Sequence, residues 1–273
     1  MLSLNTEDVE VLETLDTELQ TVKVHRNDMT FKVRWNNETV LLHIEVQTHD
    51  SRDKPMPLRV LSYGAELLLR YELPVYSVVL YLSPDAGQTD PGGYSYGNDQ
   101  FGLHHKYQVI RLAELEGETF LDTAPVGLLP FTLLMTPPGG ITSEVWLQKC
   151  VKKVESAPVD TETRGTLFFA LSTFGSLVYH PSLIQKHILE EMMQESPFYE
   201  IVIQRGIEKG ALENSIKNIL SVLTKRFPLE DIQPVRNILE SNQDLDRLSN
   251  LLFSAIDTPS IETFLQEVET SEK

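Results

Sequence analysis

LLHIEVQTHD, Leu41 to Asp50, is the stretch on which the fold turns. Leu41 to Gln47 has the near-continuous apolar character of a strand buried on both faces, yet it contains Glu45 and Gln47. Side chains alternate along a strand, so His43, Glu45 and Gln47 share one face while Leu42, Ile44 and Val46 share the other. A carboxylate in such a setting loses its hydration at a large cost unless something compensates it. Glu45 therefore has to hold a partner.

Toward the N-terminus, MTFKVRWN alternates polar and apolar residues as a half-buried strand does, and WNNE, Trp35 to Glu38, reads as the turn that returns the chain into ETVLLHIEV. TVKVHRND, Thr21 to Asp28, is a further β-rich run, and Glu7 to Leu15 reads as a short helical start. Toward the C-terminus, LRVLSYGAELLLRYEL, Leu58 to Leu73, has Leu58, Leu61, Ala65, Leu68 and Leu69 at helical spacing, with Pro55 and Pro57 before it and Pro74 after it. PVYSVVLYLSP, Pro74 to Pro84, is a β-branched strand. A strand, a helix and a strand in succession predict a parallel crossover, and with the preceding meander they predict a mixed α/β sheet.

DAGQTDPGGYSYGNDQFG, Asp85 to Gly102, reads as an exposed loop, and KYQVIRLAEL returns as a strand. From Ile141 the pattern turns helical through SEVWLQKCVKKV, RGTLFFALSTFGSLV, SLIQKHILEEMM and FYEIVIQRGIEKGALE. Arg205 to Asn214 reads as a linker helix, and Asn214 to Val268 as a small bundle with starts at Pro228, Asp244 and Ser260. The expected organisation is an α/β domain over 1–137, a helical extension over 138–210 and a C-terminal helical module over 211–273.

The 273 residues suffice for one large domain or two small ones. No apolar run approaches the roughly 20 residues that span a bilayer. The acidic N-terminus lacks the character of a signal peptide, so a cytoplasmic protein with no membrane partner is expected. With Cys150 as the single cysteine, intrachain disulfides and multi-cysteine zinc sites are excluded. The net charge of −17 argues against general nucleic-acid affinity. Gln20 to Tyr71, however, holds eight Lys and Arg against six Asp and Glu, a net +2 that leaves −19 for the rest. That segment reads as a phosphate-facing surface or as a solvated sheet edge.

Asp28 stands at the start of one strand and Glu45 on the next. Two acids so placed can converge on a hard cation such as Mg²⁺, which prefers oxygen ligands, and Gln47 points an amide toward the same spot. Such a site suits metal-assisted phosphodiester hydrolysis. The same two acids also read as a solvent-edge pair or as a partner for Arg34, and spacing alone does not choose. Arg59 and Tyr63, one helical turn apart, read either as a phosphate grip or as packing against the sheet. Of His25, His43 and His49, His43 shares the face of Glu45; a proton-transfer role and a structural one are both open to it. His104 and His105, beside Lys106 after a Gly-rich loop, read either as a contact to phosphate or metal or as loop residues; adjacent residues point to different sides of an extended chain, which favours the loop. PPGG, Pro137 to Gly140, lacks the Lys and Ser or Thr of a P-loop, and FGS, Phe174 to Ser176, lies in a helical pattern rather than a strand-to-helix elbow.

D-x(16)-E-x-Q, from Asp28 to Glu45 and Gln47, followed by the R-x-x-x-Y helix of Arg59 and Tyr63 and by PVYSVVLYL, resembles the PD-(D/E)XK nuclease superfamily. More narrowly it resembles the branch of recombination-promoting nucleases and transposase-like proteins, over about Asp16 to Leu115. The helical tail, with TKRFPLEDIQ and DLDRLSNLLFSA, is similar to C-terminal modules of unknown function in cyanobacterial members. The resemblance implies a restriction-endonuclease-like αβββαβ core followed by an all-helical C-terminal part. It implies a DNA endonuclease linked to recombination or transposition, with Mg²⁺ or Mn²⁺ as cofactor and DNA as partner. Asp28 and Glu45 would be the metal ligands. Gln47 would stand where the family usually places a catalytic Lys, and Arg59 and Tyr63 would meet the substrate. The family's first helix is shortened here, with Glu18 as its remnant. A catalytically silent scaffold is the rival reading; its acidic helical tail would bind a protein partner or a second copy.

Overall fold

The computed structural model describes residues 9–14, 18–19, 25–26, 29–51, 54–97, 101–228 and 230–270. Strands β1 (Val9–Thr14), β4 (Met29–Trp35), β5 (Glu38–Gln47), β6 (Val75–Tyr81) and β9 (Gln108–Arg111) form a five-stranded sheet in the order β1-β4-β5-β6-β9. Its first two pairings are antiparallel and its last two parallel, so the sheet is mixed as expected.

The hairpin β4–β5 closes on Asn36 and Asn37, whose φ angles are 48° and 65°. A two-residue hairpin turn of this kind needs positive φ at both positions, which Asn tolerates better than other residues with a Cβ. The register runs from Met29 opposite Ile44 to Trp35 opposite Glu38. Outside β4 lies β1, with a register shift between Val11 and Glu13. This corrects the helical start expected over Glu7 to Leu15: the alternation in VEVLET, with β-branched Val9 and Val11, pairs with the open edge of β4 instead. Glu18 likewise lies in a strand and not in a helix, since β2 (Glu18–Leu19) pairs with β3 (His25–Arg26).

The crossover helix α1 (Met56–Tyr71) starts after Pro55 and ends where Glu72 turns left-handed and its N–H bonds the Leu68 carbonyl. The buried residues of α1 are Met56, Val60, Tyr63, Gly64 and Leu67, whereas Leu68 and Leu69 are 50% and 81% exposed. The sequence had predicted the face of Leu58, Leu61, Ala65, Leu68 and Leu69. A helix with leucines on every side has no single apolar stripe, and the polar face of β5 settles the rotation by drawing Arg59 and Tyr63 toward the sheet. Leu41, His43, Glu45 and Gln47 on β5 lie under α1 together with Val75, Ser77, Val79 and Tyr81 on β6. His43 and Glu45 are consequently fully buried, while Leu42, Ile44 and Val46 on the opposite face are only half-buried.

After β6 the chain forms a tight loop and then a hairpin, β7 (Gly93–Gly97) with β8 (Gly102–Lys106), before β9. The exposed loop expected over Asp85 to Gly102 is therefore partly β-structure, and His104 and His105 are strand residues. Glycines at Gly93, Gly97 and Gly102 weakened the strand signal, yet each packs its backbone too closely on the facing strand to admit a Cβ.

The opposite face of the sheet is covered at one end by helical structure. Val46, Leu80 and Ile110 pack with Leu134, Met135 and the stacked rings of Phe131 and Phe174. Helices α2 (Gly117–Thr123), α3 (Ser143–Glu155), α4 (Thr161–Gly175) and α5 (Pro181–His187) enclose a second core around Trp146, Leu147, Leu171 and Cys150. By its internal contacts the chain divides into Met1–Ser196 and Pro197–Lys273. The second unit contains α6 (Pro197–Arg226), which runs unbroken across Gly210, with α7 (Gln233–Ser241), α8 (Leu245–Asp257) and α9 (Ile261–Thr270). Asp244 and Ser260 begin α8 and α9 as predicted. The start expected at Pro228 falls instead at Gln233, where Pro234 fits the first turn. No helix of the described residues is long and apolar enough to cross a membrane.

Candidate functional site

The parallel pairing of β5 with β6 sets His43 beside Ser77 and Glu45 beside Val79. The His43 ring spans two partners, with Nδ1 3.1 Å from Ser77 Oγ and Nε2 3.2 Å from Glu45 Oε1. The second carboxylate oxygen, Oε2, lies 2.9 Å from Arg59 Nη2 and accepts from Gln47 Nε2 at 3.5 Å. Glu45 thus finds its compensation in one guanidinium, one imidazole and one amide. Such a charge is tolerated in a core because both oxygens are engaged and a full countercharge lies within hydrogen-bond distance.

Arg59 reaches the carboxylate from the first turns of α1 while keeping 26% of its side chain exposed. It also lies over the Tyr63 ring, 5.6 Å from the centroid, and Tyr63 in turn meets His43 edge-on at 5.7 Å. The Arg59 Nε is buried without a hydrogen-bond partner. On the far side of Ser77 stands His105, whose Nε2 lies within 3.6 Å of where a Gly64 side chain would begin. A Cβ at Gly64 would meet His105 and Ser77 only in ordinary van der Waals contact. Burial, with the His43 ring second, holds the His105 imidazole below its usual range.

The structure brings together Glu45, Gln47, Arg59 and Tyr63 from the predicted set, and His43 with them. Asp28 lies outside the described residues. His49 is at the exposed end of β5, paired with Thr48 Oγ1 at 3.0 Å, and the side chain of His25 is not described. His104 faces Ser95 on β7. Ser77 was not singled out by sequence reasoning, and His105 was singled out only beside His104, not as a neighbour of Ser77. Ser77 is one small residue in an apolar strand, and only the register of β6 against β5 shows that it meets His43.

Among the described residues no group of three or more His, Cys, Asp or Glu side chains is arranged to hold a metal ion. Carboxylate oxygen is the donor class a hard dication takes, and Glu45 offers it here with Oε2 already facing the Arg59 guanidinium and the Gln47 amide nitrogen. No family model, curated protein or solved structure matches this chain.

Proposed function

We propose that this chain is a Mg²⁺- or Mn²⁺-dependent DNA endonuclease with a PD-(D/E)XK-type core, acting in recombination or transposition. The observation that carries the reading is the buried Glu45 carboxylate, held on the strand before the crossover between Arg59 and Gln47. The order of three antiparallel strands, a helix and a parallel strand supports it.

In this reading Asp28 and Glu45 would hold the ion, which would supply Lewis-acid chemistry at the phosphodiester and its attacking water. Gln47 orients that water through its amide. Arg59 turns from Glu45 to the scissile phosphate once the carboxylate is engaged elsewhere. His43, tied to Ser77, keeps the Glu45 carboxylate from rotating.

A second reading is favoured by one observation: both Glu45 oxygens are already satisfied within the protein, as in a structural ion pair. The chain would then be a silent nuclease-like scaffold that binds a protein partner. One experiment separates the two. Purified protein is incubated with supercoiled and linear DNA in Mg²⁺, in Mn²⁺ and in chelator. The nuclease predicts metal-dependent cleavage, lost by at least a hundredfold in Glu45→Ala, and a metal-induced rise in Tm that the variant lacks. Neither cleavage nor a Tm shift leaves the scaffold.

A further inference from the structure

The two halves of α6 have different surroundings. The C-terminal half packs Ile219, Leu220 and Leu223 into the core of the second unit, whereas every residue from 200 to 210 is exposed. That exposed half carries Ile201, Val202, Ile203 and Ile207, with Val202 52% and Ile207 60% exposed. It also carries Gly206 and Gly210, each of which costs a helix about 1 kcal/mol relative to Ala. A helix of this make-up draws its stability from packing against a partner, not from its own propensity. A Cβ at either glycine would meet nothing within 4 Å beyond the backbone of its own helix, so that side is open to close approach. Ile203, Gly206, Gly210, Glu213, Lys217 and Leu220 follow one another at alternating steps of three and four, which makes them one seam along the unbroken helix. The last three of them line a groove of about 620 Å³ whose other wall holds Arg236 and Glu240 of α7. The acids of the groove, Glu213 and Glu240, lie 3.7 Å from Lys209 and 3.6 Å from Arg236. Its lysines, Lys217 and Lys225, have no acidic partner among the described residues, and Glu200 on the exposed half has no cationic one.

We propose that two copies of this chain pair antiparallel through α6, the exposed N-terminal half of each helix lying in the α6–α7 groove of the other. A two-fold interface has to be self-complementary, and the sequence of α6 is so about its midpoint between residues 211 and 212. Antiparallel pairing there sets Ile203 opposite Leu220 of the second copy. The charged seam residues Lys217 and Glu213 fall opposite Gly206 and Gly210, where no side chain stands, so their stems pass over bare backbone and their heads reach water. Val202 and Ile207 flank the seam and lose exposed apolar surface. Glu200 comes within two residues of Lys225 on the same flank, and the symmetry makes that ion pair twice. A foreign helix would have to reproduce the spacing of apolar, small and charged positions, whereas a second copy carries it already. The pairing uses the second unit alone and needs neither a metal nor Glu45, so it stands or falls separately from the nuclease reading.

The test is sedimentation equilibrium of the whole chain in chelator, over a roughly hundredfold range of concentration. The expected species is twice the 31.0 kDa of one chain. Ile203→Glu should weaken association at least about tenfold. Gly206→Leu should do the same although it meets open space within its own chain and improves helix propensity, so loss of folding does not explain its effect. Glu200→Lys and Lys225→Glu should each weaken association by about fivefold, and the two together should restore it. Twenty-five residues of helix separate these side chains by about 37 Å within one chain, so only a second copy can couple them. A monomer at every concentration overturns the proposal, whether or not Glu45-dependent cleavage is seen. A dimer indifferent to Ile203→Glu and Gly206→Leu overturns it, and so does a double charge exchange that is merely additive. Dimerisation that follows these substitutions without metal-dependent cleavage upholds it and removes the nuclease.

Discussion

At the scale of the residue, Glu45 brings a charge into a place that water does not reach, and its neighbours are organised around that charge. Removing Arg59 leaves the carboxylate with His43 and Gln47 as its remaining hydrogen-bond partners, without the guanidinium charge. Arg59→Leu should therefore destabilise the fold by about 2–3 kcal/mol, somewhat below the value for a fully buried pair because the guanidinium keeps part of its hydration. Glu45→Leu/Arg59→Leu should cost at least about 1 kcal/mol less than the two single changes added, since the double change leaves no orphaned charge. Urea melts of the four proteins read the cycle, and strict additivity would mean that the pair is not coupled. The anomaly was legible because an acid within an apolar run is visible in any sequence. Its partners were less so. Arg59 comes fourteen positions later, on a helix whose rotation the leucines left undecided, and the His43–Ser77 bond exists only through a strand register.

At the scale of the element, the meander, the crossover and most helices follow from patterns that the chain carries locally. The hairpin β7–β8 and the loop before it do not, because polar bonds shape them. The Asp50 carboxylate accepts from the Gly87 N–H at 2.7 Å, and the Arg111 guanidinium donates to the carbonyls of Gly87 and Asp90. Asp90 accepts from Tyr81 and Tyr107 at 2.7 and 2.5 Å. Burial first, and then the bond to Asp90, push both phenol pKa values far above the usual tyrosine range. A raised folded-state pKa stabilises fully below the unfolded value near 10 and is lost as pH climbs past it, because the unfolded chain then ionises first. Stability should fall above about pH 10, each tyrosine contributing about 1.4 kcal/mol per pH unit to the slope. In Tyr107→Phe the slope of urea-derived stability between about pH 10 and 11 should be shallower by about that amount. An unchanged slope would mean that the hydroxyl is free to ionise in the folded protein.

At the scale of the whole molecule, a mixed α/β sheet with helical structure after it was readable from the order of the patterns alone. The division at Ser196 was not, because it depends on which apolar faces find each other. Residues from Trp146 to Ile188 close a core within the first unit, whereas Ile219, Leu223, Leu239, Leu248 and Phe264 close another within the second. Two cores that share no residue should lose their packing independently. Phe264 is fully buried, and Phe264→Ala should remove about 3–5 kcal/mol from the second unit. Calorimetry should then resolve two transitions, the one belonging to residues 197–273 moving down and the other staying fixed, with Leu171→Ala producing the converse. A single transition that shifts under either substitution would instead require the two cores to melt as one, and the helical unit would then have to be counted as part of the structure that holds Glu45 in place.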